Sequence, residues 1–221
     1  MSWSRQVDIY CERVDPAFWA EPVNALTNLA FVAAAAALWR AQTVHGRGDP
    51  AARTLALLIG AIGVASFLFH TLATAWAGLA DTLAILAFAA YFLYLFLRRA
   101  AGMRRAGALA LAAAFAAASY FFPALLPAGE WRGSAGYLPY VAALLTIVGY
   151  LRARRAASAR VFLGATGLFL VSLALRTADP AVCERFPLGT HFAWHLLNAV
   201  VLYRLARELS VRLAAPSRLA A

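Results

Sequence analysis

The chain of 221 residues contains no lysine, so all twenty of its basic residues are arginines. A retinal-binding proton pump needs a lysine to form its Schiff base. The absence of lysine therefore excludes that class of seven-helix protein. The first twenty residues are polar and contain no basic region that leads into an apolar one. A cleaved signal peptide is therefore not expected.

Internal repeats are also missing, and apart from a general richness in alanine there is no low-complexity linker. The chain is accordingly interpreted as a single domain spanning residues 1–221. Many secondary transporters are built from inverted repeats and from helices that break near the middle of the membrane. Neither feature is apparent, which argues against a transporter.

Apolar residues dominate the chain, at 63% of the sequence with a mean hydropathy of +0.70. Soluble domains contain roughly 45–50% apolar residues, so a membrane protein is indicated. A hydrocarbon layer about 30 Å thick needs roughly 17–25 apolar residues per helix. Reading the chain for such runs predicts an all-α membrane protein built as a seven-transmembrane helix bundle, with the sixth span the shortest. The spans are Pro22–Leu38, Ala51–Leu72, Trp76–Leu97, Ala106–Phe122, Gly136–Leu151, Val161–Leu175 and Leu188–Leu205.

The arginines alternate between the two sides of this predicted bundle. Fifteen of the twenty follow the first, third and fifth runs or lie at the C-terminus. Cytoplasmic loops are enriched in basic residues, so membrane orientation explains the net charge of +10 better than nucleic-acid binding does. We expect an external N-terminal segment at 1–21 and a cytoplasmic tail at 206–221. The richness in arginine and alanine hints at a bacterial protein of the inner membrane, with its external face in the periplasm.

Five polar residues interrupt the apolar runs at one expected depth near the external face. His70 closes the second run, Asp81 opens the third, and His191 and His195 begin the seventh. Residues four apart share a helix face, so Ser66 lies with His70 and His191 lies with His195. Ionisable residues inside a membrane are costly, and their default interpretation is functional. Three imidazoles beside a carboxylate indicate a catalytic zinc site. Asp81 is the candidate base, because it is the only carboxylate within the predicted runs.

Each of these residues also has a purely structural interpretation. A single membrane histidine often bonds to a neighbouring helix, and a serine often marks close helix packing. Asp81 alone suits a helix N-cap. His45, in an arginine-rich loop, is interpreted as solvated. The coincidence of three histidines, an acid and a serine at one depth favours the metal site. A seven-helix receptor or sensor with a structural zinc remains the alternative function.

The order of these residues resembles that of the alkaline ceramidases, which belong to a superfamily of seven-span hydrolase-like proteins that includes the adiponectin-receptor relatives. The shared pattern is Ser66-x-x-x-His70, then Asp81, then His191-x-x-x-His195. The N-terminal segment is similar too, since Asp8–Glu12 precedes the sequence Ala20–Asn28 at the start of the first run. The resemblance covers nearly the whole chain.

This resemblance implies hydrolysis of the amide bond of ceramide, a lipid whose acyl chains would lie between the helices. His70, His191 and His195 would be the zinc ligands, Asp81 would orient or deprotonate the attacking water, and Ser66 would contact the metal site or the oxyanion. Many bacteria lack sphingolipids, so the expected substrate class extends to other N-acyl lipids.

The resemblance also implies a calcium site in the N-terminal segment and a disulfide bond. Glu12, Glu21, Asp8 and Asp15 are the candidate calcium ligands, since four acids within fourteen residues suit a hard cation; the alternative is an ordinary acidic external segment. The implied bridge joins Cys11 to Cys183. Both cysteines fall on the expected external side, where disulfides persist.

Overall fold

The computed structural model describes residues 2–44, 48–125 and 134–211. Within these ranges the chain is helical and forms no β-strand beyond an isolated bridge between Gln6 and Thr74, which confirms the all-α prediction for the described residues. The α-helices are α1 Pro22–Thr27, α2 Leu29–Val44, α3 Pro50–Leu72, α4 Ala75–Arg99, α5 Arg105–Phe121, α6 Leu138–Ala153, α7 Ser158–Val182 and α8 His191–Val211. Short 3-10 helices cover Phe122–Leu125 and Ser134–Tyr137.

Local sequence explains where several helices begin and end. Pro22 and Pro50 begin α1 and α3, because proline has no N–H to lose at the first helical position. The Asp49 side chain caps α3 by accepting from the Ala51 N–H at 3.0 Å. Two hydrogen bonds from Arg99, at the end of α4, hold the pKa of Asp49 below its usual range. α3 ends at Leu72, since Ala73 adopts a left-handed φ of 45°.

Within the described ranges, six helical segments are long and apolar enough to cross a membrane, which indicates an integral membrane protein. The first joins α1 to most of α2, and the others contain α3 to α7. The predicted seventh span forms α8, a helix of 21 residues. α8 is less apolar than these six segments, because it carries two histidines, an asparagine and three charged residues.

The sixth predicted span is wrong in its length. α7 has 25 residues and continues to Val182, seven residues past the predicted end at Leu175. Arg176 and Asp179 therefore lie inside a helix and are buried. Asp81 is consequently not the only carboxylate within the apolar helices. Helix α8 also extends to Val211, so the helix includes the first part of the predicted tail.

Several predictions fall outside the described residues. They concern His45 and Arg47 in the loop after α2, Arg132 before α6, and residues 212–221 of the predicted tail.

Helix α8 packs against α7, α2, α3 and α1. Buried apolar side chains such as Leu55, Ile59, Phe162 and Leu205 form the core around it. This packing places the start of α8 beside the end of α3 and the start of α1. The polar residues of these three helix ends therefore meet at one end of the bundle.

Candidate metal centre

Three histidines converge at this end of the bundle. His70 lies near the end of α3, while His191 and His195 lie on the first turns of α8. Each offers one ring nitrogen, and these nitrogens all lie within 4.8 Å of one another. The ring centroids are 4.6 to 5.1 Å apart, and no ring is more than 2% exposed. Among the described residues this is the only group of three or more potential metal ligands.

Hydrogen bonds decide which nitrogen of His70 is protonated. Its Nδ1 lies 2.6 Å from Oε2 of Glu21. An ionised carboxylate can only accept, so Nδ1 carries the hydrogen and Nε2 keeps its lone pair. A metal-binding histidine usually donates its other N–H to a carboxylate in this manner.

His195 is oriented by a similar contact. Its Nδ1 lies 2.9 Å from Oγ1 of Thr27. The Thr27 hydroxyl lies within hydrogen-bonding distance of the Val23 and Asn24 carbonyls, and its single hydrogen is directed toward these acceptors. The hydroxyl oxygen therefore accepts from Nδ1, and Nε2 of His195 also keeps its lone pair.

Glu21 is held in the ionised state that this arrangement needs. Burial by itself raises the pKa of Glu21. Hydrogen bonds from His70 and Arg13 outweigh burial and bring the pKa below its usual range. The Arg13 Nε lies 2.6 Å from Glu21 Oε1, so Glu21 connects an arginine to a histidine through its two oxygens.

Two buried polar atoms at the site have no hydrogen-bond partner among the described residues. They are Nδ1 of His191 and Oδ1 of Asp81. A buried polar atom without a partner costs about 1–3 kcal/mol, so two at one site point to a ligand that the protein does not itself provide. Together with the lone pairs of His70 and His195, the His191 ring completes a set of three imidazole donors that fits a metal ion such as zinc.

The other predicted site residues lie beside the histidines. Asp81 follows the first turns of α4, where its carboxylate is near His70 and Ser66. Ser66 is buried on α3, one turn before His70. The ring of Tyr10 stacks on His191 with a centroid distance of 3.6 Å, so the N-terminal segment covers the site.

The structure shows the disulfide bond between Cys11 and Cys183 that the resemblance implies. It ties the N-terminal segment to the end of α7. The four acids predicted to bind calcium do not come together at one place in the described structure. Asp8 and Asp15 are exposed, while Glu12 accepts from the backbone N–H groups of Val23 and Asn24. The described geometry therefore does not support the calcium prediction.

Asp179 is a buried carboxylate that sequence reasoning missed. Its oxygens accept from the N–H groups of Cys11, Thr190 and His191 at 2.6 to 3.0 Å. It thereby caps the start of α8 and positions His191. Gly189 is needed beside it, because it adopts a φ of +63° and an added Cβ would overlap Asp179 Oδ1. An Asp-Pro pair at the end of an apolar run was the available signal.

Replacing Asp179 with alanine should destabilise the start of α8. Loss of an N-cap costs roughly 0.5–2 kcal/mol, and buried donors are also left unsatisfied, each at about 1–3 kcal/mol. We expect the melting temperature of the purified protein to fall by roughly 5–10 °C. Asp179→Asn keeps one acceptor oxygen, so its melting temperature should fall less than that of Asp179→Ala. A parent-like melting temperature for Asp179→Ala would show that this carboxylate does not hold α8.

Arg176 is a second buried residue that sequence reasoning missed, because the predicted sixth span ended at Leu175 and left Arg176 in a loop. Its guanidinium lies 5.4 to 5.9 Å from the ring centroids of Tyr10, Tyr137 and Trp194. It donates to Ser134 Oγ at 3.0 Å and to the Tyr10 hydroxyl at 3.2 Å. These partners come from separate parts of the chain, so hydropathy along the sequence did not indicate that Arg176 is buried.

Two cavities that share part of their lining include neighbours of the metal centre, Trp194 in one and Thr82 in the other. One is almost entirely apolar and is lined by aromatic and aliphatic side chains, among them Phe31, Phe92 and Trp194. The other contains Thr82, Ser119 and Arg176 and is more polar. They share the residues Ile85, Tyr137 and Tyr140.

Comparison with known families agrees with this site. The model of the family described as Ceramidase matches residues 9–215, which include every residue of the histidine group and both cysteines. A search of curated proteins finds no match. Because the match covers most of its length, the chain belongs to the ceramidase family.

Proposed function

We propose that this protein is a zinc-dependent intramembrane amide hydrolase, which cleaves ceramide or a related N-acyl lipid into a fatty acid and an amine-bearing lipid. Family membership supports a hydrolase acting on the amide bond of a lipid. The observation that carries the proposal is the buried group of three histidines near a carboxylate oxygen, Oδ1 of Asp81, that has no hydrogen-bond partner among the described residues.

The number of ligands favours catalysis over a structural metal. Structural zinc sites are closed by four protein ligands, whereas catalytic sites have three and keep one position open. In the described part of the chain, no fourth histidine, cysteine or acid joins the three histidines. The alternative, a receptor or sensor with a structural zinc, requires such a fourth ligand.

The residues of the site have separate roles in the proposed reaction. When bound, zinc supplies Lewis acidity that polarises the amide carbonyl and makes water more acidic. Asp81 accepts a proton from the attacking water and later returns it to the leaving nitrogen. The Ser66 hydroxyl donates to the oxygen that becomes negatively charged. Glu21 holds His70 and Thr27 holds His195, each by its Nδ1 atom. The Nε2 atom of each ring therefore stays available for the metal.

The cavities support a lipid substrate. An apolar cavity beside His195 suits acyl chains, since Phe31 lines it and its ring lies 6.4 Å from that of His195. The more polar cavity, which contains Thr82 next to Asp81, suits the head group. An amide bond lying between chains and head group would then be close to Asp81.

The decisive experiment is an assay of fatty acid release by the purified protein. The panel should contain ceramide and other N-acyl lipids in detergent or liposomes, with ester lipids as controls. We expect amides to be cleaved and release to stop when zinc is removed. A protein that holds zinc but releases no fatty acid from any amide lipid would favour the sensor.

We further propose that all seven long helices cross the membrane, with the N-terminus and the metal centre at the external face and the C-terminus in the cytoplasm. The arginine distribution supports this orientation. A reporter fused after Ala221 should then give a cytoplasmic signal, and one fused before Met1 an external signal. An external signal from the C-terminal fusion would overturn the orientation and the external placement of the site.

A further inference from the structure

A buried arginine lies at the centre of the N-terminal segment. Arg13 is 6% exposed, although the segment around it is largely exposed. Its guanidinium donates four hydrogen bonds, all of them to oxygen atoms. Nε donates to Glu21 Oε1 at 2.6 Å, and Nη1 donates to the carbonyls of Asp15 and Ala17 at 3.1 and 3.3 Å. Nη2 donates to the His70 carbonyl at 2.9 Å.

One carboxylate and three backbone carbonyls are the ligand types that calcium prefers. In this chain the Arg13 guanidinium lies between these four oxygen atoms and binds all of them. Arginine is protonated at every pH at which proteins are stable, so the oxygens face a permanent positive charge. A calcium ion at the same oxygens would have to displace five rigidly arranged N–H donors and would meet a like charge.

We propose that Arg13 is an internal cation that occupies the place of a calcium ion, and that it makes the protein independent of calcium. This inference is separate from the proposed hydrolysis, because it concerns what holds the N-terminal segment.

The same contacts make Arg13 a positioning residue for the metal centre. Through Glu21 it acts on the Nδ1 of His70, and through Nη2 it holds the backbone of that same histidine. The arginine therefore holds His70 from both its side chain and its carbonyl, as a bound cation would do. The disulfide at Cys11, two residues earlier, closes the segment over the site.

The first experiment measures thermal unfolding of the purified, zinc-loaded parent protein. The buffers are freed of calcium with a chelating resin and then contain either 10 mM calcium or 10 mM magnesium. We expect the same melting temperature in both and no calcium bound at equilibrium dialysis. Stoichiometric calcium binding that raises the melting temperature of the parent, and that is lost in Glu21→Gln, would overturn the proposal.

The second experiment asks whether removal of the guanidinium opens a calcium site. Arg13→Asn leaves Glu21 and the three carbonyls and adds an amide oxygen. Extracellular calcium modules bind with a Kd of about 10⁻⁴–10⁻³ M. At 10 mM calcium such a site should raise the melting temperature by roughly 3–10 °C. Calcium should also slow the loss of zinc from this variant, which a merely structural role for Arg13 would not predict.

Two further variants act as controls. Arg13→Lys keeps the positive charge and should remain insensitive to calcium. Arg5→Asn removes an exposed arginine from the same segment and should behave like the parent. A folded, zinc-loaded Arg13→Asn protein that does not respond to calcium would refute the proposal. If Arg13→Asn does not fold, the dialysis experiment on the parent protein decides the question.

Discussion

The protein in which both His191 and His195 are replaced by alanine should contain no zinc and hydrolyse no lipid. The parent is expected to carry about one zinc per chain, held by three imidazoles. Removing two of the three ligands leaves His70 alone, and a single imidazole does not retain zinc through purification. Metal analysis of the purified proteins and fatty acid release measure the two effects.

The single variants His191→Ala and His195→Ala should each lose most of the zinc. The zinc losses of the two variants need not be equal, because Thr27 holds His195 whereas Nδ1 of His191 has no hydrogen-bond partner in the described structure. His45→Ala is the matched control, as it removes the only other histidine of the chain. Full zinc content in the double variant would refute the assignment of the ligands.

Asp81→Asn should keep zinc and lose hydrolysis. The amide has the size of the carboxylate but cannot accept a proton from water. General acid–base catalysis contributes about 10²–10⁴-fold, so we expect a decrease of about that size. Zinc should remain near one per chain, because the three imidazoles provide the ligation.

Ser66→Ala should have the smaller effect, about 10–10³-fold, because it removes one hydrogen-bond donor while the metal still stabilises the oxyanion. Asp49→Asn is the matched control for Asp81→Asn. It changes a carboxylate that caps the start of α3 and bonds to Arg99, whereas the metal centre lies at the end of α3. If Asp81→Asn holds zinc and hydrolyses lipid at the parent rate, Asp81 does not activate water.

The predicted metal centre was accessible from the sequence because its signals are local. His191 and His195 share a face through their spacing of four, and His70 and Asp81 come just before and just after one short turn between apolar helices. Apolar runs of sufficient length predicted the helices, and the helix bounds differ mainly where polar residues continue a helix. These features depend on a few neighbouring residues, so they need no knowledge of packing.

The polar residues of α7 show where such reading fails. Hydropathy assigned Arg176 and Asp179 to a loop, since a charged residue inside a membrane helix is costly. In the structure their charges are compensated by partners far away in sequence, including Tyr10 and the N–H group of Cys11. Compensation of this kind cannot be read from the residues adjacent to Arg176 and Asp179.

The sequence by itself determined the helical architecture and the histidine group, because length, hydropathy and residue spacing act over single helices. Asp81 as the base stays a prediction. Only the tertiary structure decided how the centre is held. The contact of Thr27 with His195 spans 168 residues, and that of Glu21 with His70 spans 49. The place of Arg13 among four oxygen atoms likewise depends on how the N-terminal segment packs on α1 and α3. Such contacts form only when helices pack, since hydrogen bonds between distant residues require their backbones to be brought within a few ångströms.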